Sequence, residues 1–239
     1  MPTAVTGLLI SSVRHRTTMI PYDIMTYNNP NLIARFAHRT RHKVSLQLAQ
    51  SLLPKNGVVV DFGAGDGLFV HNIQQARPDI HATAIEPNTE LRYPNIRRLI
   101  NIEDIKEGSV DLICAFEVAE HLADEDLTAF FVGSRKALTT RGHLLITVPI
   151  MYGLALPVKE LQRMILHKRW TDTGAVDMFK GILGISIPRA HNRHTSHKGF
   201  DFRWLRNQLS THFRVTQEFY SPFRHLPWWV NSQAVFVAE

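Results

Sequence analysis

One short run limits the fold of this chain more than any other feature of the sequence. Three β-branched residues, Val58, Val59 and Val60, lead into Asp61-Phe62-Gly63-Ala64-Gly65-Asp66-Gly67. Such β-branched residues are typical of a strand that is buried on both faces of a parallel sheet. The glycines allow a tight turn and a close approach of the backbone to a ligand. The run therefore predicts a strand, a glycine-rich turn and a helix, as in nucleotide-binding α/β units.

Strands and helices are expected to alternate along most of the chain. Apolar stretches bounded by Gly, Pro and polar residues predict strands at 58–60, 80–85, 96–102, 110–116, 143–148, 213–219 and 233–238. Helical periodicity predicts helices at 31–53, 68–77, 124–138, 156–167, 174–184 and 202–209. This alternation predicts an α/β protein with a doubly wound, mostly parallel sheet of seven strands.

The length and the order of elements predict a single domain over residues 1–239. Within it we expect an N-terminal helical cap at 1–56, a cofactor-binding core at 57–150 and a C-terminal helix and strands at 201–239. The two helical pieces within 151–200 interrupt the alternation, so we expect a lid above the carboxyl ends of the strands, where open sheets bind ligands.

The charge is distributed unevenly along the chain. The whole sequence has 27 Lys and Arg against 21 Asp and Glu, but residues 58–150 have 8 against 14, and each flank has a net charge of +6. An acidic core suits a cationic cofactor, and basic flanks suit an anionic acceptor or an anionic surface. Neither a signal peptide nor a membrane-spanning run is expected, so we expect a cytoplasmic protein. The single cysteine, Cys114, excludes an intrachain disulfide and is expected to be a buried thiol.

The acidic residues around the glycine-rich turn indicate which nucleotide it binds. Glu86 follows the second predicted strand, where a carboxylate can accept hydrogen bonds from both ribose hydroxyls. A dinucleotide site has a helix N-terminus facing a pyrophosphate. Asp61 and Asp66 would repel a pyrophosphate, whereas they suit a ligand with an ammonium and a sulfonium group. The pattern favours S-adenosylmethionine over NAD.

The same motifs resemble those of class I S-adenosylmethionine-dependent methyltransferases. The glycine-rich run at 61–67 is similar to their first motif, Glu86 to their second, and the strand at 142–149 to the strand that follows their fourth. Their fourth motif is matched by two runs of this sequence, Asp111-Leu112-Ile113 and Glu117-Val118-Ala119-Glu120-His121-Leu122. The resemblance implies a Rossmann-like methyltransferase fold and cofactor contacts from Asp61, Gly63, Ala64, Gly65, Glu86, Pro87 and Glu117.

Glu117, Glu120 and His121 form an E-x-x-E-H pattern, and their spacing would put all three on one face of a helix. Two carboxylates and an imidazole could bind a divalent cation such as Mg²⁺. The pattern also occurs in metal-using O-methyltransferases and in relatives with no established metal. Three interpretations stay open: a metal site, a metal-free catalytic or substrate-binding role for His121, and a purely structural role.

A second group of histidines, His191-x-x-His194-x-x-His197, follows the predicted lid. One of them could supply a further ligand or a general base, and His197 is the candidate we single out. The alternative is a solvated, weakly basic loop. Together with His121, His197 is a predicted catalytic residue.

The acceptor of the methyl group is less constrained. O-methylation of a small, sugar-linked or lipid-linked acceptor is the main hypothesis, and its alternatives are 2′-O-methylation of an RNA end and a catalytically silent cofactor-binding scaffold. The basic stretch at 35–43 could bind RNA or the phosphate of a small substrate. The apolar segment 226–230 could pack in the core, line an acceptor pocket, touch a membrane surface or mediate dimer contact.

Overall fold

The computed structural model describes residues 32–167, 173–190 and 197–239 of the 239-residue chain. In this part of the chain seven strands and six α-helices follow one another largely in alternation. The helices are α1 (Leu32–Leu52), α2 (Leu68–Ala76), α3 (Asp124–Ala137), α4 (Ala155–His167), α5 (Ala175–Ile182) and α6 (Phe202–His212). The strands are β1 (Val58–Phe62), β2 (His81–Ile85), β3 (Arg97–Leu99), β4 (Val110–Phe116), β5 (Leu138–Pro149), β6 (Val215–Ser221) and β7 (Gln233–Ala238).

All seven strands form one sheet in the order β3-β2-β1-β4-β5-β7-β6. The first five are mutually parallel, and β7 pairs antiparallel with both β5 and β6. Only β7 therefore runs against the others. The predicted α/β class and the doubly wound, mostly parallel sheet of seven strands are confirmed.

Alternate residues of the strands face two separate hydrophobic layers. Val59 faces the layer formed by α1 and α2, in which Ile73 is fully buried. Its neighbour Val60 faces the opposite layer, formed by α3 and α6, in which Phe130 and Leu205 are buried. Because both faces are covered, the central strands consist of apolar runs rather than of alternating apolar and polar residues.

The order of strands reverses between β1 and β4, which lie side by side. In open parallel sheets the crevice at the carboxyl ends of two such strands is the usual ligand site. The loops that follow Phe62 and Phe116 begin at this crevice.

The predicted lid lies against the carboxyl edge of the sheet. The backbone N–H of Gly153 donates to the carbonyl of Gly181 at 3.0 Å, and that of Leu154 donates to the carbonyl of Trp229 at 2.9 Å. Helices α4 and α5 are therefore joined to each other and to the segment before β7. The division of the chain into cap, core and lid stays a prediction; of the cap, only the part from residue 32 is described.

Several predicted elements differ in extent from the observed ones, and two of them differ most. The third strand, predicted at 96–102, is only three residues long, because a 3₁₀ turn begins at Ile102, whose side chain is buried. The strand predicted at 143–148 begins earlier, at Leu138, because Leu138 pairs with Val110 across a bulge. None of the helices within the described ranges has the length and apolar run of a membrane span.

Candidate active site

The glycine-rich turn follows β1 and is linked by hydrogen bonds to the carboxyl end of β2. Gly63 and Ala64 both donate their backbone N–H to the carbonyl of Ile85, at 2.9 and 3.2 Å. Gly65 donates its N–H to Oε2 of Glu86 at 2.9 Å. The predicted first and second motifs are thus linked by hydrogen bonds.

All three glycines of the turn have left-handed backbone conformations, and Gly63 and Gly65 lie in different surroundings. Gly63 has φ +74°, and a Cβ added there would lie 2.5 Å from Cγ2 of Val118. Gly65 has φ +55°, and a Cβ added there would meet no described atom within 4 Å. The turn is therefore packed tightly against the loop after β4 at Gly63, and it opens onto free space at Gly65.

Glu86 is buried and holds two loops together. In addition to the bond from Gly65, its Oε1 accepts hydrogen bonds from the backbone N–H groups of Asn88 at 2.9 Å and Thr89 at 3.0 Å. A carboxylate offers about four acceptor positions. Three are used by the backbone, so one position remains for a ligand hydroxyl.

Asp61 adds a second buried carboxyl at the end of β1. Burial, together with the nearby charge of Glu86, raises the pKa of Asp61 well above its usual value. Burial and Asp61 likewise raise the pKa of the Cys114 thiol, so this cysteine is a packed, protonated side chain, as predicted. A bound cation would relieve the repulsion between Asp61 and Glu86. Asp66 instead accepts a hydrogen bond from the backbone N–H of Leu68, at 3.1 Å, and stabilises the start of α2.

Glu117 leaves β4 in an unusual conformation, with φ +57°. Its N–H donates to the carbonyl of Thr147 at 2.9 Å, and its side chain accepts a hydrogen bond from Nε2 of Gln233 at 2.8 Å. Nη1 of Arg41 lies 3.5 Å from its other carboxylate oxygen. The side chain of Glu117 is therefore directed towards α1 and β7.

The loop after Glu117 forms a turn rather than a helix, in which the N–H of His121 donates to the carbonyl of Val118 at 2.9 Å. This turn brings Glu120 and His121 close to His197: one ligand atom of each lies within 4.8 Å of the others. The rings of His121 and His197 are edge to face, with 4.7 Å between their centroids. We call Glu120, His121 and His197 the polar triad.

Glu120 is the most deeply buried member of the triad. Its carboxyl is fully buried, and neither of its oxygens has a hydrogen-bond partner in the part of the chain that the structure describes. Burial and the charge of Glu117 raise its pKa well above the usual range. Burial, together with His121, lowers the pKa of His197 to about 4, so that its ring is neutral near pH 7. The triad thus combines a carboxyl group that lacks hydrogen bonds with a neutral imidazole.

Other polar atoms beside Glu117 are also left without partners. Nε of Arg41, Oε1 of Gln233 and Oγ1 of Thr147 are buried and form no hydrogen bond with the described residues. Buried polar atoms are rarely left unsatisfied, because each costs about 1–3 kcal/mol. A polar ligand at this edge of the sheet would supply the missing partners.

Lys159 of α4 links the lid to the same edge. The residue as a whole is half-buried, but its ammonium group lies inside and donates to the carbonyls of Ile150 at 2.9 Å and Ser232 at 3.0 Å. Burial and the charge of Arg41 lower its pKa to about 7. Lys159 thereby joins α4 to the end of β5 and to the residue before Gln233.

Comparison with known proteins identifies the family of this chain. A family model described as a methyltransferase domain matches residues 33–214. The chain belongs to the class I S-adenosylmethionine-dependent methyltransferases. Among curated proteins no sequence match is found.

Solved structures share the methyltransferase fold with this chain at low sequence identity. The PH0226 protein from Pyrococcus horikoshii OT3 is 12% identical, with a TM-score of 0.58 over 92% of this chain and 96% of its own. A SAM-dependent methyltransferase from Thermotoga maritima is 15% identical, with a TM-score of 0.54 over 85% and 90%. One from Leishmania major is 17% identical, with a TM-score of 0.51 over 86% and 74%. At these identities the likeness establishes the fold alone.

The predicted cofactor, S-adenosylmethionine, follows from the family, and the residues at the glycine-rich turn fit it. When bound, this cofactor supplies an electrophilic methyl group on a sulfonium. The free space at Gly65, the remaining acceptor position of Glu86 and the mutual repulsion of Asp61 and Glu86 all suit a positively charged adenosine ligand. The individual contacts predicted for Asp61, Gly63, Ala64, Gly65, Glu86, Pro87 and Glu117 stay predictions.

One expectation about the E-x-x-E-H pattern is wrong. Glu117, Glu120 and His121 do not share a helix face, because the positive φ of Glu117 and the turn at Val118 replace the expected helix. The side chain of Glu117 is engaged by Arg41 and Gln233 instead of joining the other two. His197 lies beside Glu120 and His121 in its stead; His191 and His194 lie outside the described residues.

Sequence reasoning missed three residues of this site: Lys159, Arg189 and Gln233. The guanidinium of Arg189 donates to the carbonyl of Glu120 at 2.7 Å and lies over the ring of Trp204, 5.5 Å from its centroid. All three come from segments that the sequence places far from β4, and no local pattern marks them. Arg41, in contrast, belongs to the basic stretch at 35–43, which the sequence had indicated as a possible binding segment.

Proposed function

We propose that this methyltransferase transfers the methyl group to an oxygen of a small, oxygen-rich acceptor that binds beside the polar triad. One observation supports this proposal most strongly. Ligand atoms of Glu120, His121 and His197 lie within 4.8 Å of one another, and Glu120 and His121 belong to the loop that packs on Gly63. Transfer to a hydroxyl requires a group that removes its proton, whereas transfer to an amine or a thioether does not require a special centre of this kind.

The proton of the acceptor hydroxyl can pass to the polar triad directly. The neutral ring of His197 has a nitrogen lone pair that can accept a proton, and the Glu120 carboxyl lies beside His121, with 3.9 Å between its Oε1 and the histidine Nε2. With S-adenosylmethionine held at the glycine-rich turn, its sulfonium would supply the methyl group and leave as the neutral thioether, and the imidazole of His197 would take the hydroxyl proton. The remaining work of the protein is to hold the two reactants in line and to exclude water.

A divalent cation at the same place is a second candidate, favoured by the two oxygens of Glu120 that lack partners. Two imidazoles and one carboxylate suit Mn²⁺, Fe²⁺ or Zn²⁺ better than Mg²⁺, which prefers an all-oxygen set. Such an ion would lower the pKa of a bound hydroxyl. This proposed ligand set, Glu120, His121 and His197, replaces the predicted set in which Glu117 took part.

The polar atoms beside Glu117 support an acceptor rich in hydroxyl or carbonyl groups. Among the described residues, Nε of Arg41 and Oε1 of Gln233 have no hydrogen-bond partner, so this donor and this acceptor would complement a ligand that offers both kinds of group. Arg41 and Lys159 are the basic groups at this edge, but Glu117 offsets the charge of Arg41 and the pKa of Lys159 is lowered to about 7, so the preference for an anionic acceptor over a cationic one is modest. An acceptor of this kind agrees with the basic flanks of the sequence.

The proposal is tested by incubating the protein with methyl-labelled S-adenosylmethionine and separated metabolite, lipid and RNA fractions. We expect label in the metabolite or lipid fraction, in a bond that is stable as a methyl ether or ester. Label in RNA, with binding that weakens steeply with salt, would favour the 2′-O-methylation alternative. Cofactor binding without label in any fraction would favour a silent scaffold.

Chelation in the same assay distinguishes between a triad that binds a divalent cation and a triad that accepts the proton directly. If a cation takes part, EDTA should abolish the transfer and Mn²⁺ should restore it. If transfer is unchanged after exhaustive chelation, the cation is rejected and His197 stays as the proton acceptor.

A further inference from the structure

The exposed apolar side chains of this protein are concentrated on the lid. Within the described residues, twelve large hydrophobic side chains are exposed, and ten of them lie in segments 154–185 and 223–229. The other two, Ile100 and Val132, are on separate elements. We call the exposed side chains of the two segments the lid surface.

Helical spacing aligns the side chains of the lid surface. On α5 and at the residue that caps its end, Val176, Phe179 and Leu183 follow one another at intervals of three and four residues, and Val176 and Phe179 are 68% and 65% exposed. Such spacing puts them on one face of the helix. On the other side, Gly181 packs so tightly on Leu156 that an added Cβ would lie 2.3 Å from it.

Helix α4 contributes a second row of the same kind. Leu154, Val158 and Leu161 are exposed at intervals of four and three residues. Between them, Leu156 and Glu160 are buried against the rest of the protein. Both lid helices therefore have apolar residues on the side that faces solvent as well as on the side that faces the fold.

The segment before β7 extends the lid surface with aromatic side chains. Phe223, Leu226 and Trp229 are exposed, and the indole N–H of Trp229 donates to the carbonyl of Ile182 at 2.9 Å. The loop is thus attached to the end of α5. Exposed apolar patches of this breadth on a monomer usually mark an interaction site.

The charges around the lid surface indicate what it contacts. Helices α4 and α5 contain one acidic residue each: Glu160 is buried, and Asp177 is paired with Lys198 at 3.1 Å. Basic side chains, in contrast, are exposed beside the apolar ones, at Lys180 and Arg224. Residues 151–239 as a whole contain twelve Lys and Arg against six Asp and Glu.

From this arrangement we infer that the lid surface docks on an anionic lipid bilayer, with its apolar side chains in the headgroup region and its basic ones on the phosphates. A helix with an apolar face and flanking basic residues binds membranes by both contributions. A second copy of the chain would instead bring two positively charged surfaces together, which is unfavourable at moderate ionic strength. The inference does not depend on the identity of the methyl acceptor.

Vesicle sedimentation tests the inference with the full chain. We expect the protein to sediment with vesicles of phosphatidylcholine and phosphatidylglycerol in equal parts, and much less with vesicles of phosphatidylcholine alone. The double substitution Val158→Ser and Phe179→Ser should lower the affinity at least about tenfold, because each side chain loses its apolar burial. High salt should weaken binding through screening.

The chain offers a matched control in Val132→Ser, since Val132 is 42% exposed but lies on α3, away from the lid surface. This variant should bind vesicles as the unaltered protein does, and all variants should retain S-adenosylmethionine binding in calorimetry. The inference is overturned if the unaltered protein stays in the supernatant with anionic vesicles. It is also overturned if the protein forms a dimer that the double substitution dissociates while vesicles capture neither form.

Discussion

Substitution of Glu86 by alanine is expected to weaken S-adenosylmethionine binding by at least about 100-fold. The carboxylate accepts backbone hydrogen bonds from Gly65, Asn88 and Thr89, and its loss leaves three N–H groups without an acceptor. Hydrogen bonds to a charged group contribute about 1.5–3 kcal/mol each, and 1.4 kcal/mol corresponds to a factor of ten. The loss of order in the glycine-rich turn and of the proposed ribose contact together account for the expected factor.

Isothermal titration calorimetry of the Glu86→Ala variant measures this effect. Glu90→Ala is the matched control, because Glu90 carries the same charge in the same loop but is exposed. It should bind the cofactor like the unaltered protein. A dissociation constant for Glu86→Ala within about threefold of that protein, well below the tenfold that 1.4 kcal/mol gives, would refute the role assigned to Glu86.

The second large effect is expected at the polar triad. His197→Ala should lower the rate of methyl transfer by about 10²–10⁴-fold, the usual contribution of a positioned acid or base. Glu120→Gln should lower it as well, since the amide has the shape of the carboxyl but cannot gain or release a proton. Neither change should alter S-adenosylmethionine affinity, because Gly63 of the glycine-rich turn packs on Val118 rather than on a side chain of the triad.

The rates are measured by single-turnover transfer of labelled methyl to the fraction that accepts it from the unaltered protein. His81→Ala and Glu125→Gln serve as controls, because both residues are exposed and lie outside the site. If the His197→Ala variant transfers methyl as fast as the His81→Ala control, the triad has no part in the chemistry. A weakened cofactor affinity in the triad variants would assign these residues to cofactor binding instead.

Much of the fold was predictable because it depends on local patterns. The apolar runs of β1, β4 and β7 and the charged ends of α3 identify these elements without tertiary information. Strand β3 was predicted longer than it is, because the apolar residues Ile100 and Ile102 follow Leu99 in the sequence. In the structure Ile102 instead packs against Gly133 of α3. A contact between distant segments therefore ended a strand that local preference would have continued.

The candidate site was predictable only where its residues follow strands directly. Gly63, Gly65 and Glu86 were identified because the order of a parallel sheet brings the ends of β1 and β2 together. The pairing of Glu117 with Arg41 and Gln233, in contrast, follows from the positive φ of Glu117, which no residue pattern indicates.

The sequence alone did not decide the role of the apolar segment 226–230. It could pack in the core, line an acceptor pocket, touch a membrane or mediate dimer contact, because an apolar run alone does not show which neighbours cover it. The structure leaves Leu226 and Trp229 exposed, beside the apolar rows of α4 and α5. Exposure, rather than composition, is what directs the interpretation towards an interaction surface.

The central hypothesis for this protein is that Asp61 and Glu86 select a positively charged adenosine ligand at the glycine-rich turn. Calorimetry of the unaltered protein with S-adenosylmethionine, its demethylated product and NAD tests this claim most directly. We expect both S-adenosylmethionine and its demethylated product to bind. S-adenosylmethionine, which carries the sulfonium charge, should bind more tightly than the product, and NAD should give no heat. Clear binding of NAD without any response to S-adenosylmethionine would contradict it.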